Sequence, residues 1–178
     1  YVTALAMLIC TPIAVLAAVY LAEYAKQGKV VELIRYAADA LASVPSIVMG
    51  LFGYALFVEA MGLGLSMVSA ALALALLMLP IVMRTTEEAI RAVPRYIRWG
   101  AYGLGATKWH IVRTLVLPCS LDGIVSGCIL AIGRIVGESA ALLFTAGTGK
   151  VLASSIAKAY TSSGATLSVA LYMKSEAK

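Results

Sequence analysis

Four stretches of this chain, about residues 2–21, 33–60, 66–83 and 120–146, stay apolar over the length that crosses a membrane. A ~30 Å hydrocarbon core demands ~20 such residues in a helix. Inside lipid every backbone polar group must find its partner within the protein, which restricts the chain to an all-α polytopic membrane bundle. Composition agrees: 62% of residues are hydrophobic and 13% charged, about half the charged share of a soluble domain. The net charge of +5 is no nucleic-acid signal, because the bases sit beside apolar spans rather than on a polar face. The three cysteines, Cys10, Cys119 and Cys128, lack C-x-x-C spacing; two of them lie in apolar surroundings, which favours small buried thiols.

The long polar interval is Arg84 to Pro118. It carries six of the fourteen Lys and Arg residues, Arg84, Arg91, Arg95, Arg98, Lys108 and Arg113, against Glu87 and Glu88. A short loop with that excess stays cytoplasmic. The Lys26–Lys29 turn after the first span is basic too. Alternation across the tight turn Met61–Gly64 then returns the chain to the same side at Arg84, so two cues give one topology.

The interval is patterned as short helices. Thr85 and Glu88 have capping-box spacing, and Glu87 and Arg91 pair at i,i+4. Pro94 closes one helix and suits the first turn of the next, over about Arg95 to Tyr102. Gly103-Leu-Gly105 stops that helix through a left-handed turn. Thr107 caps a third helix through about Val116, which Pro118 ends. Upstream, residues 30–42 read as an interfacial amphipathic helix with an Arg35–Asp39 pair, and Pro45 imposes a break at Val44. Asp122 reads as a carboxylate at the start of the last span. Gly123-x-x-x-Gly127 and Gly133-x-x-x-Gly137 there offer a small face for close packing. Leu167 to Met173 reads as the start of a further span, and the chain as a fragment of a longer membrane protein.

Arg134 and Glu138 are the sharpest chemical signal. They lie one helical turn apart in the apolar span 120–146, and a lone charge at the bilayer centre costs at least ~2.5–3.5 kcal/mol. Two readings stand: a point on a solute route where Arg134 meets an oxyanion bidentately, or an ion pair holding helices together. Gly147-Thr-Gly-Lys150 is not a phosphate-binding loop, since Phe144 and Val151 stand where that motif needs Gly and Ser or Thr. His110, the only histidine, reads as a surface residue. No cluster resembles a metal site or a nucleophile with its base. The chain therefore reads as a transporter or channel subunit and not as an enzyme.

The basic interval resembles the coupling loop of binding-protein-dependent ABC importer permeases. Their pattern is E-A-A, three residues, Gly, nine residues, then I-x-L-P. Here Gly105 is followed by nine residues and Leu115-Val116-Leu117-Pro118, while the triplet reads Trp99-Gly100-Ala101. The stretches Ser43–Phe57, Leu77–Pro94, Leu104–Pro118, Ala131–Gly147 and Ser162–Met173 narrow the resemblance to the A-type permeases of phosphate importers. The resemblance implies a type I importer permease with one transmembrane domain over 1–178 and a coupling loop over 84–118. It also implies a bacterial or archaeal plasma membrane. Members have six spans, so this chain would lack the first and last. The implied partners are a homologous permease subunit, two cytoplasmic ATPase subunits that bind the ATP and Mg, a soluble phosphate-binding protein and the lipid bilayer, with no nucleic acid. The permease itself needs no cofactor. The loop residues expected to couple to the ATPase are Arg95, Arg98, Trp99, Gly100, Ala101, Gly105 and Pro118. Arg134 and Glu138 match residues implicated in transport. The alternatives are a permease for phosphonate, sulfate or molybdate, an ATP-independent anion channel subunit, and a purely structural membrane subunit.

Overall fold

The computed structural model describes residues 2–26, 28–138, 140–146 and 174. The expectations for Gly147–Lys150 and Leu167–Met173 lie outside these. All regular structure among the described residues is helical. Helix α1 (Val2–Val19) passes through Pro12 and continues into a π-turn, Tyr20–Tyr24. Helix α2 is Lys29–Ser43. Helix α3 (Ser46–Gly53) runs on through a π-turn, Tyr54–Ala60. Helix α4 is Met67–Ala92, α5 Arg95–Gly103, α6 Lys108–Ile111, α7 Leu117–Gly137 and α8 Ala140–Thr145. A π-turn, Val112–Val116, welds α6 to α7.

Three of these helical runs are long and apolar enough to span a bilayer: Val2–Tyr24, Met67–Ala92 and Lys108–Gly137. Among the described residues a fourth crossing exists only if α2 and α3 count as one span, and they meet at 100°. The stretch 33–60 is thus two helices and not a continuous rod. Val44 takes extended backbone (φ −65°, ψ 133°) ahead of Pro45, as the proline ring requires of its predecessor.

Helix α4 is the central strut, with α1 along one side, α7 along another and α2 beside its basic end; α3 packs on α8. The α1–α4 seam is made largely of small side chains, with Ala6, Ala14, Ala18, Ala70 and Ala71 fully buried beside Leu74. Between membrane helices, attraction comes from close packing rather than from expelling water, so small residues stabilise the contact best. The α4–α7 seam takes this furthest. A Cβ on Gly123 would collide with Ala89, and one on Gly127 with Thr85. The first glycine pair therefore packs as expected. Gly133 and Gly137 face open space, so the second pair makes no such contact.

Three local expectations fail where a helix runs on past the residue expected to bound it. Thr85 caps nothing. It lies inside α4, where its hydroxyl donates to the carbonyls of Ile81 and Val82. Asp122 sits well within α7 rather than at a helix start. Pro118 does not end the third helix, which runs unbroken from Lys108 to Gly137. The preceding π-turn widens the helix where the Pro118 ring would strike the carbonyl one turn back, and the proline has no N–H to leave unpaired.

The basic end of the bundle and the Arg134–Glu138 site

The interval 84–118 is not a free loop. Arg84 to Ala92 extends α4 beyond its apolar part, and Lys108 onward starts the last long helix, so only α5 and its two turns connect the rods. Pro94 (φ −59°, ψ 139°) sets the entry to α5. At the exit, Gly105 takes φ +81°. The Gly105 N–H donates to Tyr102 O at 3.0 Å and the Ala106 N–H to Ala101 O at 3.1 Å. This pair of bonds is the Schellman closure, which satisfies the carbonyls left open at a helix end. Thr107 then caps α6, its hydroxyl accepting from the His110 N–H. The helix–turn–helix read from the sequence is present, with both turns fixed by hydrogen bonds.

Helix α5 is two-faced. Ile97 and Ala101 pack against the core, whereas Arg95, Tyr96, Trp99, Gly100 and Tyr102 are exposed. Tyr96 is 73% and Trp99 68% accessible, and Leu104 and Trp109 continue the apolar surface beyond the turn. Of the expected coupling residues, Arg95, Trp99, Gly100 and Gly105 lie on this open face. Arg98 turns inward. Its Nη1 lies 2.8 Å from Glu23 Oε1 and its Nη2 donates to Ile90 O at 2.6 Å. Ala101 is half-buried, and Pro118 is exposed on the side of the long helix, away from the turn.

The charges of α2 and α4 form a second constellation that sequence spacing misassigned. Arg35 and Asp39 do not pair with each other. Arg35 reaches Glu87 (2.8 Å) and Asp39 meets Arg84. Glu87 also takes Arg91 at 2.9 Å, the one i,i+4 pair that forms as expected, and Glu88 holds Arg84 at 3.6 Å. These six side chains line a cleft between α2 and α4. A carboxylate as buried as Glu87 requires such company, since an uncompensated charge away from water is costly.

Arg134 and Glu138 are not stacked on one helix. Helix α7 stops at Gly137, and Glu138 has extended backbone (φ −78°, ψ 115°). Arg134 is exposed, whereas Glu138 is buried and its carboxylate accepts from the Ala141 N–H at the start of α8. No ion pair joins the two among the described residues. The span 120–146 is therefore broken, with a buried acid at the break. Within a membrane, unwound backbone persists only where protein or a water-filled cavity shelters it. The missed signal is Gly137 itself, a helix-ending residue next to a side chain able to cap α8.

Comparison with known proteins gives the family. The model for the binding-protein-dependent transport system inner membrane component matches residues 11–173. The chain is 45% identical over 147 residues to the probable ABC transporter permease protein YqgI of Bacillus subtilis, covering 83% of this chain and 50% of that one. It is 46% identical over 140 residues to the phosphate transport system permease protein PstA of Yersinia pestis (79% and 47%). It is 42% identical over 142 residues to PstA 1 of Mycobacterium tuberculosis H37Rv (80% and 46%). The chain spans about half the length of the curated relatives it matches. The helical bundle, its apolar spans and this match together make it a multi-pass protein of the inner membrane, and the chain belongs to the inner membrane components of binding-protein-dependent transport systems.

Proposed function

We propose that this chain is part of the permease subunit of an ATP-driven importer of inorganic phosphate. The observation that carries the coupling half of this reading is α5. It is a short helix closed at both ends by fixed turns, with its inner face packed on the bundle and an aromatic outer face open. A partner that closes on ATP moves such a helix as a rigid body, and its motion reaches the long rods on either side. Buried aromatic anchors dominate protein interfaces, so Trp99 and Tyr96 supply through packing what the usual acidic residue of the motif supplies through polar contact. The substrate half rests on relatives named as phosphate transport permeases at 42–46% identity.

In this reading two ATPase subunits hydrolyse ATP below the bundle, and a homologous permease completes the pathway. A soluble phosphate-binding protein delivers substrate from the other side. Arg134 offers the bidentate fork that suits an oxyanion, and Glu138 holds the break in the span beside it.

The test is uptake of labelled phosphate in cells lacking the full-length gene, with and without its return, against unlabelled sulfate and phosphonate. Restored, ATP-dependent uptake competed by phosphate alone is expected, and Arg134→Gln lowers it about tenfold. Competition by sulfate or phosphonate would move the substrate. ATP-independent uptake would replace the importer with a channel.

A further inference from the structure

Arg98 belongs to the coupling helix yet points away from its open face. Its side chain is 20% accessible and that of Glu23 9%, so their 2.8 Å ion pair is largely withdrawn from water. The second arm of the same guanidinium donates to Ile90 O, near the C-terminus of α4. Among the described residues, every side-chain hydrogen bond or ion pair from α5 to another helix runs through Arg98. Glu23 sits in the π-turn that closes the first span. Its neighbour Tyr24 receives Lys108, whose Nζ lies 4.9 Å from the ring centroid. The first span is not adjacent in sequence to the coupling interval, yet its basic end is gripped from both sides of the Gly105 turn.

We infer that Arg98 and Glu23 are positioning residues that transmit movement of the coupling helix to the first span, a load path separate from the chain connections to α4 and α6. This rests on the importer reading above and adds to it a joint that the sequence pattern of the coupling loop does not contain. The physical case has three parts. Helix α5 adjoins α4 and α6 through turns of two to four residues, and these transmit displacement along their own rods. Nothing covalent near the turn links α5 to α1. A buried guanidinium–carboxylate pair resists separation because breaking it strands both charges in a poorly hydrated place, so α1 follows α5 as long as the pair is closed. The shape of the guanidinium matters as well as its charge, since one arm hydrogen-bonds Arg98 to α4 through Ile90 O while the other reaches Glu23 Oε1 in a charge contact and not a hydrogen bond.

The experiment uses the full-length permease assembled with its partner permease and ATPase in proteoliposomes. Phosphate uptake and ATP hydrolysis are measured together, with binding protein present. Glu23→Gln keeps the volume and removes the charge. It is expected to lower phosphate carried per ATP hydrolysed about tenfold while the ATPase still copurifies. Arg98→Lys, which keeps the charge and loses the fork, is expected to fall between. The exchange Arg98→Glu with Glu23→Arg is expected to regain at least about threefold over Arg98→Glu alone, short of full recovery because Glu at 98 faces the Ile90 carbonyl. A wild-type ratio of uptake to hydrolysis in Glu23→Gln overturns the inference. So does an exchange variant no better than the single one. Were the wild-type complex to carry no phosphate on ATP, the importer reading would fall instead, and the two failures are distinct.

Discussion

The Glu87 carboxylate shows how much a single side chain organises here. It is 8% accessible and lies between Arg35 of α2 and Arg91 of its own helix, whereas Glu88 beside it is 70% accessible. Removing Glu87 leaves two guanidiniums facing each other across the α2–α4 cleft. Glu87→Ala is expected to destabilise the full-length protein by about 2 kcal/mol, below the full value for a wholly buried pair because both arginines are partly hydrated. Glu88→Ala is expected to cost no more than about 0.5 kcal/mol. Thermal unfolding of the detergent-solubilised protein measures both, and equal shifts would contradict the role given to Glu87. Gly127 supplies the contrasting case, in which absence of a side chain is the requirement. Gly127→Ala forces Thr85 away from the α7 seam and is expected to cost about 1–3 kcal/mol. Gly133→Ala, in open space, is expected to be neutral or slightly stabilising, since alanine favours the helix by up to about 1 kcal/mol. The same unfolding assay separates the two glycine pairs.

At the level of elements, α5 and its turns were readable because their chemistry is local. Pro94, Gly105 and Thr107 each act within four residues of themselves, and the structure has an entry, a left-handed exit and a cap at those positions. The expected effect of Gly105→Val rests on that exit. A β-branched residue resists φ +81°, at about 1–2 kcal/mol for the left-handed region. The exit turn then reopens, and transport is expected to be lost while the protein still inserts in the membrane, as read by uptake and by membrane-fraction abundance. Normal transport by the variant would show that the turn does not fix α5. What local chemistry does not reveal is a competing partner on a distant helix. Arg35 and Asp39 have ideal spacing for each other, but α4 offers Glu87 and Arg84, and the cross-helix pairs win. Pro118 looks terminal until the π-turn before it is seen. Arg98 was expected among the coupling residues, but its inward direction depends on where α1 ends. Glu138 was expected to stack on Arg134, and the stacking fails because α7 stops between them.

For the molecule as a whole, apolar length was the dependable signal. It identified the spans that form α1, α4 and α7, because no other arrangement buries such runs in lipid. It was least informative over 33–60, where summed length hides a right-angled bend. Helix α2 is held to α4 by charges, while Val30, Leu33 and Tyr36 remain exposed on its other side. It lies beside the basic end of α4, and α3 leaves it at 100° to pack on α8 and α4. Most of the candidate site is therefore assembled from residues far apart in the chain, which is why residue types could be named before their partners could.

The unbroken helix Lys108–Gly137 has a consequence of scale. Its 30 residues measure about 45 Å, against a hydrocarbon core of ~30 Å. Helix α4, with 26 residues, comes to about 39 Å. The charged residues from Arg84 on α4 and up to Arg113 on the other rod lie at the end that carries α5, so the length beyond an apolar core falls at that end. The two rods act as a depth gauge, holding the connecting helix at a stand-off from the membrane set by residue count rather than by loop conformation. Whatever engages α5 meets it at that fixed height. Adding one helical turn to both rods would lower it by about 5 Å, leaving every residue of the contact face unchanged and the face itself out of reach.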